Sequence, residues 1–218
     1  MTLDQYKQKA AEIEDWAPGW EAIDACLEPL YPGQQPRHYG TNLHARAIFG
    51  GDQYLDGYSV YEARDHLHLV TYGMSELYVN EESFGGEWSK WGYEMTIRLP
   101  MCEEADFMWA IDMLANLARY TFTSKRFFEP FQYISGGGNP IKVGSDSKLT
   151  GLLIVSDPAL PGTDTVHGRL DFLQVVGITQ AELDVVMADK AQAQAVLERM
   201  REDNPMYITD LNRTKNYI

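Results

Sequence analysis

In this sequence, a pair of histidines comes nearest to the residue spacing of a reactive site. His66 and His68 lie in an apolar segment that we expect to be a β-strand, so both side chains would lie on one face of it. Imidazoles at this spacing can hold a metal ion. The sequence has no His-x-x-x-His motif and no cysteine cluster to complete a site. We therefore expect partly buried strand histidines and no metal or other cofactor; a metal-dependent enzyme that adds Glu94 is the remote alternative.

Other common catalytic patterns are incomplete. Cys26 and Cys102 are the two cysteines, and nothing in the sequence marks a histidine that would activate either thiol. Glycines 136–138 are followed by Asn139-Pro140, where a phosphate-binding loop would need Lys-Ser or Lys-Thr. Acidic residues are so numerous that carboxylate pairs arise by chance. The sequence therefore predicts no catalytic residues.

A concentration of aromatic and acidic side chains instead indicates a binding surface. Large rigid rings supply contact area to a protein partner, and carboxylates attract a basic surface. Some of these rings belong to the core, but Trp88 and Trp91 lie in a polar insert and should be exposed. The candidate partner-binding residues of this region are Tyr72, Glu76, Tyr78, Glu81, Glu82, Glu87, Trp88 and Trp91.

The segment that carries these residues must be positioned by a sheet. Alternation of apolar and polar residues, or continuous runs of branched apolar residues, predicts strands at 43–49, 58–62, 66–72, 93–99, 152–155 and 170–176. Segment 127–134 is interrupted by Pro130 and better fits an edge strand or irregular structure. The predicted fold class is α+β, with a mixed, mostly antiparallel sheet flanked by helices.

Capping motifs and helical periodicity predict the helices. Thr2 and Gln5 form a capping box for a first helix that should end at Pro18-Gly19. A second helix from about Gly19 should bury Trp20, Ile23, Leu27 and Leu30. The longest helix should span 103–123.

Further helices are predicted near the end of the chain. Thr179 and Glu182 form a second capping box. Asp189 should cap another helix, and residues 206–211 should form a last strand.

Length and charge limit the function classes. The 218 residues suit one domain, 1–218, with residues 1–17 forming an N-terminal helix at its periphery.

A net charge of −14 disfavours nucleic acid and anionic membranes and favours a cationic protein partner, although charge for solubility explains it equally well. Two cysteines without a Cys-x-x-Cys motif, and a polar first stretch, predict a reduced cytoplasmic location and leave a Cys26–Cys102 disulfide open.

Five segments, in order, resemble those of the Suppressor of fused family. They read HLHLVTYGMSELY (66–78), GYEMTIRL (92–99), LARYTF (117–122), LLIVSDP (152–158) and FLQVVGIT (172–179), the last followed by Glu182-Leu183. The resemblance implies a domain like the N-terminal domain of the animal proteins, with no enzymatic activity and a role in binding other proteins.

The resemblance also adds two candidate residues. Animal members hold an extended transcription-factor segment between two domains by strand addition. The tyrosine that follows Leu-Ala-Arg in the family falls on Tyr120 and matches, while the aspartate of the peptide-binding region falls near Gln132 and does not.

Single-domain bacterial relatives imply a different role, as immunity proteins in toxin systems. The leading hypothesis is therefore a bacterial immunity protein that binds and neutralises a basic toxin domain. A peptide-binding adaptor or regulatory module that uses strand addition is the alternative.

Overall fold

The structure, a computed structural model, describes residues 1–40 and 54–218. Its helices are α1 (Leu3–Glu12), α2 (Pro18–Leu27), α3 (Glu104–Ser124), α4 (Gln180–Ala188) and α5 (Gln192–Arg201), with a short 3-10 turn at Glu81–Ser83. Its strands are β1 (Arg37–Gly40), β2 (Gly57–Glu62), β3 (His66–Tyr72), β4 (Trp88–Pro100), β5 (Tyr133–Ser135), β6 (Leu149–Ser156), β7 (Thr163–Thr165) and β8 (Gly168–Thr179). The strand predicted at 43–49 lies outside the described residues.

The strands form one sheet in the order β1-β2-β3-β4-β8-β6-β5, and β7 pairs with β8 beside this path. Neighbouring strands are antiparallel except for the central pair, β4 and β8, which is parallel. The prediction of a mixed, mostly antiparallel sheet flanked by helices is thus confirmed. In the described ranges, no helix is long and apolar enough to cross a lipid bilayer.

One face of the sheet is covered by α3. The apolar stripe of this helix packs on alternate residues of the central strands, among them Met95, Ile97 and Val175. The stripe consists of Phe107, Ala110, Ile111, Leu114, Leu117 and Ala118. Burial of each large apolar side chain contributes about 1.5–3 kcal/mol, so this layer is a main source of stability.

The opposite face carries two separate apolar clusters. Ile23 and Leu27 of α2 pack on the part of the sheet that includes Val70 and Phe172. At the other side, α4, α5 and the C-terminal segment pack on β6 and on the last part of β8. Because two helical layers share this face, the sheet is covered on both sides along its central strands.

A buried ion pair joins Arg98 of β4 to Asp157, the residue that follows β6. Arg98 of β4 donates from Nη1 to Asp157 Oδ2 over 2.7 Å and from Nη2 to Oδ1 over 3.0 Å. Both side chains are fully buried. Gln174 of β8 accepts from Arg98 and donates to the carbonyl oxygens of Met206 and Tyr207. The pair therefore ties the two central strands to the C-terminal segment.

The carboxylate of Asp157 has a full set of donors. It also accepts from the Thr96 hydroxyl at 2.7 Å and from the backbone N–H groups of Ala159 and Leu160. Burial alone would raise the pKa of this carboxyl, but its close contact with His68 and the hydrogen bonds and positive charge of Arg98 hold the pKa well below its usual range.

His68 completes this network in its neutral form. Its Nδ1 atom lies 2.9 Å from the Tyr31 hydroxyl and 3.4 Å from Arg98 Nη2, and because a guanidinium can only donate, Nδ1 must be the acceptor. The ring proton then resides on Nε2, which lies 3.2 Å from Asp157 Oδ2. Burial lowers the pKa of His68 to about 4.

The helix boundaries correct two predictions. The Thr2–Gln5 capping box is present, but α1 already ends at Glu12. Pro18 does not terminate that helix; it begins α2, because a proline at the first position needs no N–H partner. Leu30 is exposed rather than buried, while Ile23 and Leu27 are buried as predicted.

The C-terminal predictions were partly right. The Thr179–Glu182 capping box begins α4, and the buried Glu182 also pairs with Arg213 at 2.7 Å. Asp189 follows α4, and α5 has no side-chain cap. Residues 206–211 do not form a strand. Thr209 donates from its backbone N–H to the Arg98 carbonyl, so this segment is bound to β4 without joining the sheet as a strand.

The ion pair predicts the effect of Asp157→Asn. The substitution leaves the Arg98 charge buried without a counter-ion, so we expect a loss of about 3 to 5 kcal/mol in the free energy of unfolding. Urea denaturation would measure it. Asp164→Asn is the control, because the Asp164 side chain is exposed and lies 3.7 Å from Arg169; it should change stability by no more than about 0.5 kcal/mol. Similar losses for both variants would contradict the assignment.

The neutral state of His68 predicts a pH dependence. The unfolded chain binds a proton at this histidine below about pH 6.5, whereas the folded chain does not until about pH 4. The free energy of unfolding should therefore fall as the pH decreases from 7 to 5, with His68 contributing about 2 kcal/mol of the decrease. In His68→Gln the fall should be smaller by that amount. An unchanged pH profile in denaturation experiments would contradict this role.

Candidate functional site

Tyr72 does not belong to a surface. Its side chain is fully buried, its hydroxyl donates to Asp24 Oδ1 over 2.9 Å, and its ring packs 4.5 Å from Trp20. This corrects its assignment to the partner-binding set, because strand alternation places residue 72 under α2. Tyr78 is exposed, and its hydroxyl lies 3.4 Å from Asp56 Oδ1.

The two tryptophans lie at the start of β4, which begins earlier than predicted and includes part of the polar insert. Trp88 is 51% exposed, as the sequence predicted, and Trp91 is half-buried. The ring of Trp88 lies against Gly92, where a Cβ atom would come within 2.8 Å of it. Gly92 also has a φ of +83°, so a glycine is required there on both counts.

The structure brings Trp88 and Trp91 to one surface with Phe127 and Phe128, which follow α3. These four residues and Pro130 line a cavity of about 450 Å³, named here the tryptophan groove. Its size is within the range of roughly 300–1,000 Å³ that is usual for ligand sites.

Tyr120 and Gln132 line a second cavity of about 490 Å³, named here the tyrosine groove. Phe127 and Phe128 line both cavities, so the two grooves are adjacent. The tyrosine groove also contains Tyr133 and therefore reaches β5, the last strand in the sheet order. Four of the ten candidate residues thus lie on one continuous aromatic surface.

The phenylalanines of this surface were not predicted from sequence. Phe127 is 49% exposed, and Phe128 is buried with its ring 5.7 Å from Tyr120. The available signal was a pair of phenylalanines close to Pro130, but we interpreted it only as an irregular edge. Phe131 is also exposed and has a φ of +70°, a left-handed conformation that is costly for a bulky residue.

Tyr93 fixes the loop that presents the phenylalanines. Its hydroxyl lies 3.0 Å from Thr121 Oγ1 on α3 and accepts from the Phe128 backbone N–H over 3.3 Å. Burial raises the pKa of this hydroxyl, so it stays protonated at neutral pH. The β4 strand therefore determines the positions of both walls of the tryptophan groove.

The acidic candidates occupy the segment just before β4. Glu82 and Glu87 are exposed, and Glu81, also exposed, forms an ion pair with Lys7 of α1 at 2.7 Å. Glu76 is half-buried and accepts from the Asn80 side chain. Three of the four carboxylates are thus available at the surface, on the chain segment that leads into Trp88.

The residues of the alternative metal site have separate structural partners. His66 contacts Asp65 at 2.7 Å, and His68 belongs to the Arg98 network. Glu94 is fully buried and accepts from the backbone N–H groups of residues 73–75 and from two hydroxyls, which fixes the turn after β3. Among residues 1–40 and 54–218, no group of three His, Cys, Asp or Glu side chains could hold a metal ion.

The cysteines are not activated for catalysis. Cys26 and Cys102 are both free thiols and both partly buried. Burial raises the pKa of each, so both remain protonated at neutral pH and are poor nucleophiles.

Another cavity lies elsewhere in the described residues, and none of the candidates lines it. It measures about 610 Å³ and is lined by Cys102, Trp109, Lys142, Asp210 and neighbouring residues. Acidic and basic side chains are mixed around it, which gives it no clear preference for one ligand charge.

The architecture is a mixed sheet with helices on both faces and an exposed aromatic surface at the start of β4. A family model described as "Suppressor of fused protein (SUFU)" matches residues 51–214. The chain belongs to the Suppressor of fused family. The Suppressor of fused homologs of Homo sapiens and Mus musculus are each 30% identical to it over 213 residues, which cover 89% of this chain and 43% of the relative. The chain thus spans less than half the length of these relatives.

Solved structures agree with this assignment. The Sufu protein of a Sufu–Fu complex superposes with a TM-score of 0.81 at 26% identity, over 94% of this chain and 93% of that one. Drosophila Suppressor of Fused gives 0.78 at 26% identity, over 92% and 51%. A homologue from Neisseria gonorrhoeae gives 0.60 at 17% identity, over 92% and 97%, which shows a shared fold. The predicted fold, that of the N-terminal domain of the animal proteins, is confirmed.

The anchoring role of Tyr93 can be tested with Tyr93→Phe. The substitution removes the acceptor of the Phe128 amide, so we expect faster hydrogen exchange at that amide and a loss of about 0.5 to 1.5 kcal/mol in stability. Amide exchange followed by NMR would measure both. Tyr133→Phe is the control, since Tyr133 also lines the surface but does not hold the loop through its hydroxyl. Unchanged exchange at Phe128 in Tyr93→Phe would contradict the anchoring role.

Proposed function

We propose that this chain is a non-enzymatic protein-binding domain whose partner covers the aromatic surface. The observation that carries the proposal is the exposure of Trp88 and Phe127, each about half accessible to solvent beside a groove. Exposed aromatic clusters of this kind are typical of interaction sites, because their burial by a partner removes apolar area from water.

The relatives support a binding role in general terms. One of the similar structures is a Sufu–Fu complex, so that relative binds a protein. The candidate catalytic groups of this chain have structural partners instead: Glu94 fixes a turn, and His68 lies fully buried in an ion-pair network. A binding role uses the exposed residues and requires nothing of the buried ones.

The more specific proposal is that the chain is a bacterial immunity protein that neutralises a basic toxin domain in the cytoplasm. A net charge of −14 supports it, because an acidic surface accelerates association with a cationic partner. The exposed Glu82 and Glu87 lie next to Trp88 in the chain, so attraction by charge and burial of aromatic area would act at neighbouring positions.

Peptide capture by strand addition is the second candidate. The observation in its favour is that β5 ends the sheet beside the tyrosine groove, where Tyr120 and Gln132 lie. An extended peptide could pair with this edge and place side chains in the groove. The absence of an aspartate at Gln132 weakens the analogy with the animal proteins.

A charge-reversal experiment distinguishes these proposals. The partner to test is a basic toxin domain, which the immunity proposal expects to be encoded beside the gene for this chain. Glu82→Lys combined with Glu87→Lys should raise the Kd by about tenfold at low salt, because both carboxylates attract the partner, and by less at high salt. Titration calorimetry at both salt concentrations would measure it.

The control reverses two exposed acids of the C-terminal region, Glu198→Lys with Glu202→Lys, which gives the same net charge. A toxin left active by the wild-type protein would contradict the immunity role. A Kd that does not change with salt concentration, together with loss of binding in Tyr120→Ala, would instead support strand addition.

A further inference from the structure

The tryptophan groove is lined by acidic side chains as well as by aromatic ones. Glu129 lines the groove between Phe128 and Pro130, is exposed, and has no side-chain hydrogen bond or ion pair within residues 1–40 and 54–218. Asp171 also lines the groove, but Arg169 holds it at 2.8 Å. Glu129 is therefore a carboxylate beside aromatic rings with its charge still available.

Lys90 is the one lysine among the described residues that line the groove, and its charge is already engaged. Lys90 donates from Nζ to the Gly73 carbonyl and lies 5.1 Å from the Trp91 ring centre. Lys125 lies in the same way over Phe122, at 4.2 Å. Rings of this region thus carry cations on their faces. Trp88, the more exposed tryptophan, has no such cation in the described part of the chain.

Aromatic rings beside a free carboxylate have a definite chemical preference. The face of an indole ring attracts cations, most strongly when the site is partly desolvated. A guanidinium can stack on the ring and donate two parallel hydrogen bonds to a carboxylate, whereas an ammonium is more strongly hydrated and has no planar face. An anionic group would be repelled by Glu129 and by the net charge of the chain.

We propose that the tryptophan groove is a binding site for an arginine side chain of the protein partner, with the guanidinium stacked on Trp88 and paired with Glu129. This inference rests on the proposed protein-binding function and specifies which residue of the partner is recognised. The Gly92 contact fixes Trp88 from one side, and the Tyr93 anchor fixes the loop that carries Glu129. The site is therefore preorganised, which reduces the entropy lost on binding.

The test uses two blocked tripeptides, Ac-Gly-Arg-Gly-NH₂ and its citrulline analogue, which has a similar shape without the charge. Indole N–H signals in a ¹⁵N spectrum of the whole protein report binding, and Trp88→Phe assigns the Trp88 signal. The arginine peptide should shift the Trp88 signal and bind at least about tenfold more tightly than the citrulline peptide. Trp109, outside the groove, should not respond.

Glu129→Gln should abolish the preference for arginine while preserving the fold, since the side chain is exposed. Glu202→Gln is the matched control and should retain the preference. Equal binding of both peptides, binding of neither, or an unchanged preference in Glu129→Gln would each overturn the inference. The arginine site can fail without the proposed function: a partner that binds wild type and Glu129→Gln equally well would refute the arginine site while preserving protein binding.

Discussion

The fold depends on the buried pairing of Arg98 with Asp157. Removing two charges from water is costly, so this pair is tolerated only because every oxygen of the carboxylate has donors. Those donors come from β4 and from the turn after β6, while Gln174 extends the network to the C-terminal segment. A single polar contact thus specifies how β4, β6, β8 and the end of the chain are arranged.

The same strand connects this network to the aromatic surface. Strand β4 carries Arg98 near its end, Tyr93 in its middle and Trp88 at its start. The alternation of its side chains directs Met95 and Ile97 to the α3 layer and Arg98 to the opposite layer. The pairing of β4 with β8 is irregular between Trp88 and Tyr93, so Trp88 reaches the surface beyond the regular part of the strand that places Arg98 in the interior.

Sequence patterns predicted the parts of the fold that depend on local physics. Capping boxes at Thr2 and Thr179 and the apolar stripe of α3 are local signals, and each was confirmed. The parallel pairing of β4 with β8 was not predicted, because it joins segments far apart in the chain. The strand predicted at 206–211 was wrong for a related reason. The hydrogen bonds of this segment go to Arg98 and Gln174, which no local pattern shows.

The candidate site was predicted only in part, and the same physical reasons explain which residues were predicted and which were missed. Exposure of Trp88 followed from its polar neighbours, whereas burial of Tyr72 depends on α2, which the strand pattern does not reveal. The sequence could not show that Phe127 and Phe128 lie near Trp88. The helix α3 separates them along the chain, and Tyr93 brings them together in space.

The parallel contact at the centre of the sheet has a consequence for how the chain folds. Strands β4 and β8 are separated in sequence by α3, β5, β6 and β7, so their pairing closes a long loop, and such contacts form slowly. The hairpin of β2 and β3 is local and can form early. Until β8 docks, the apolar edge of β4 stays open to other chains. We therefore expect the newly made chain to pass through an aggregation-prone stage that ends only after its last strand has been synthesised.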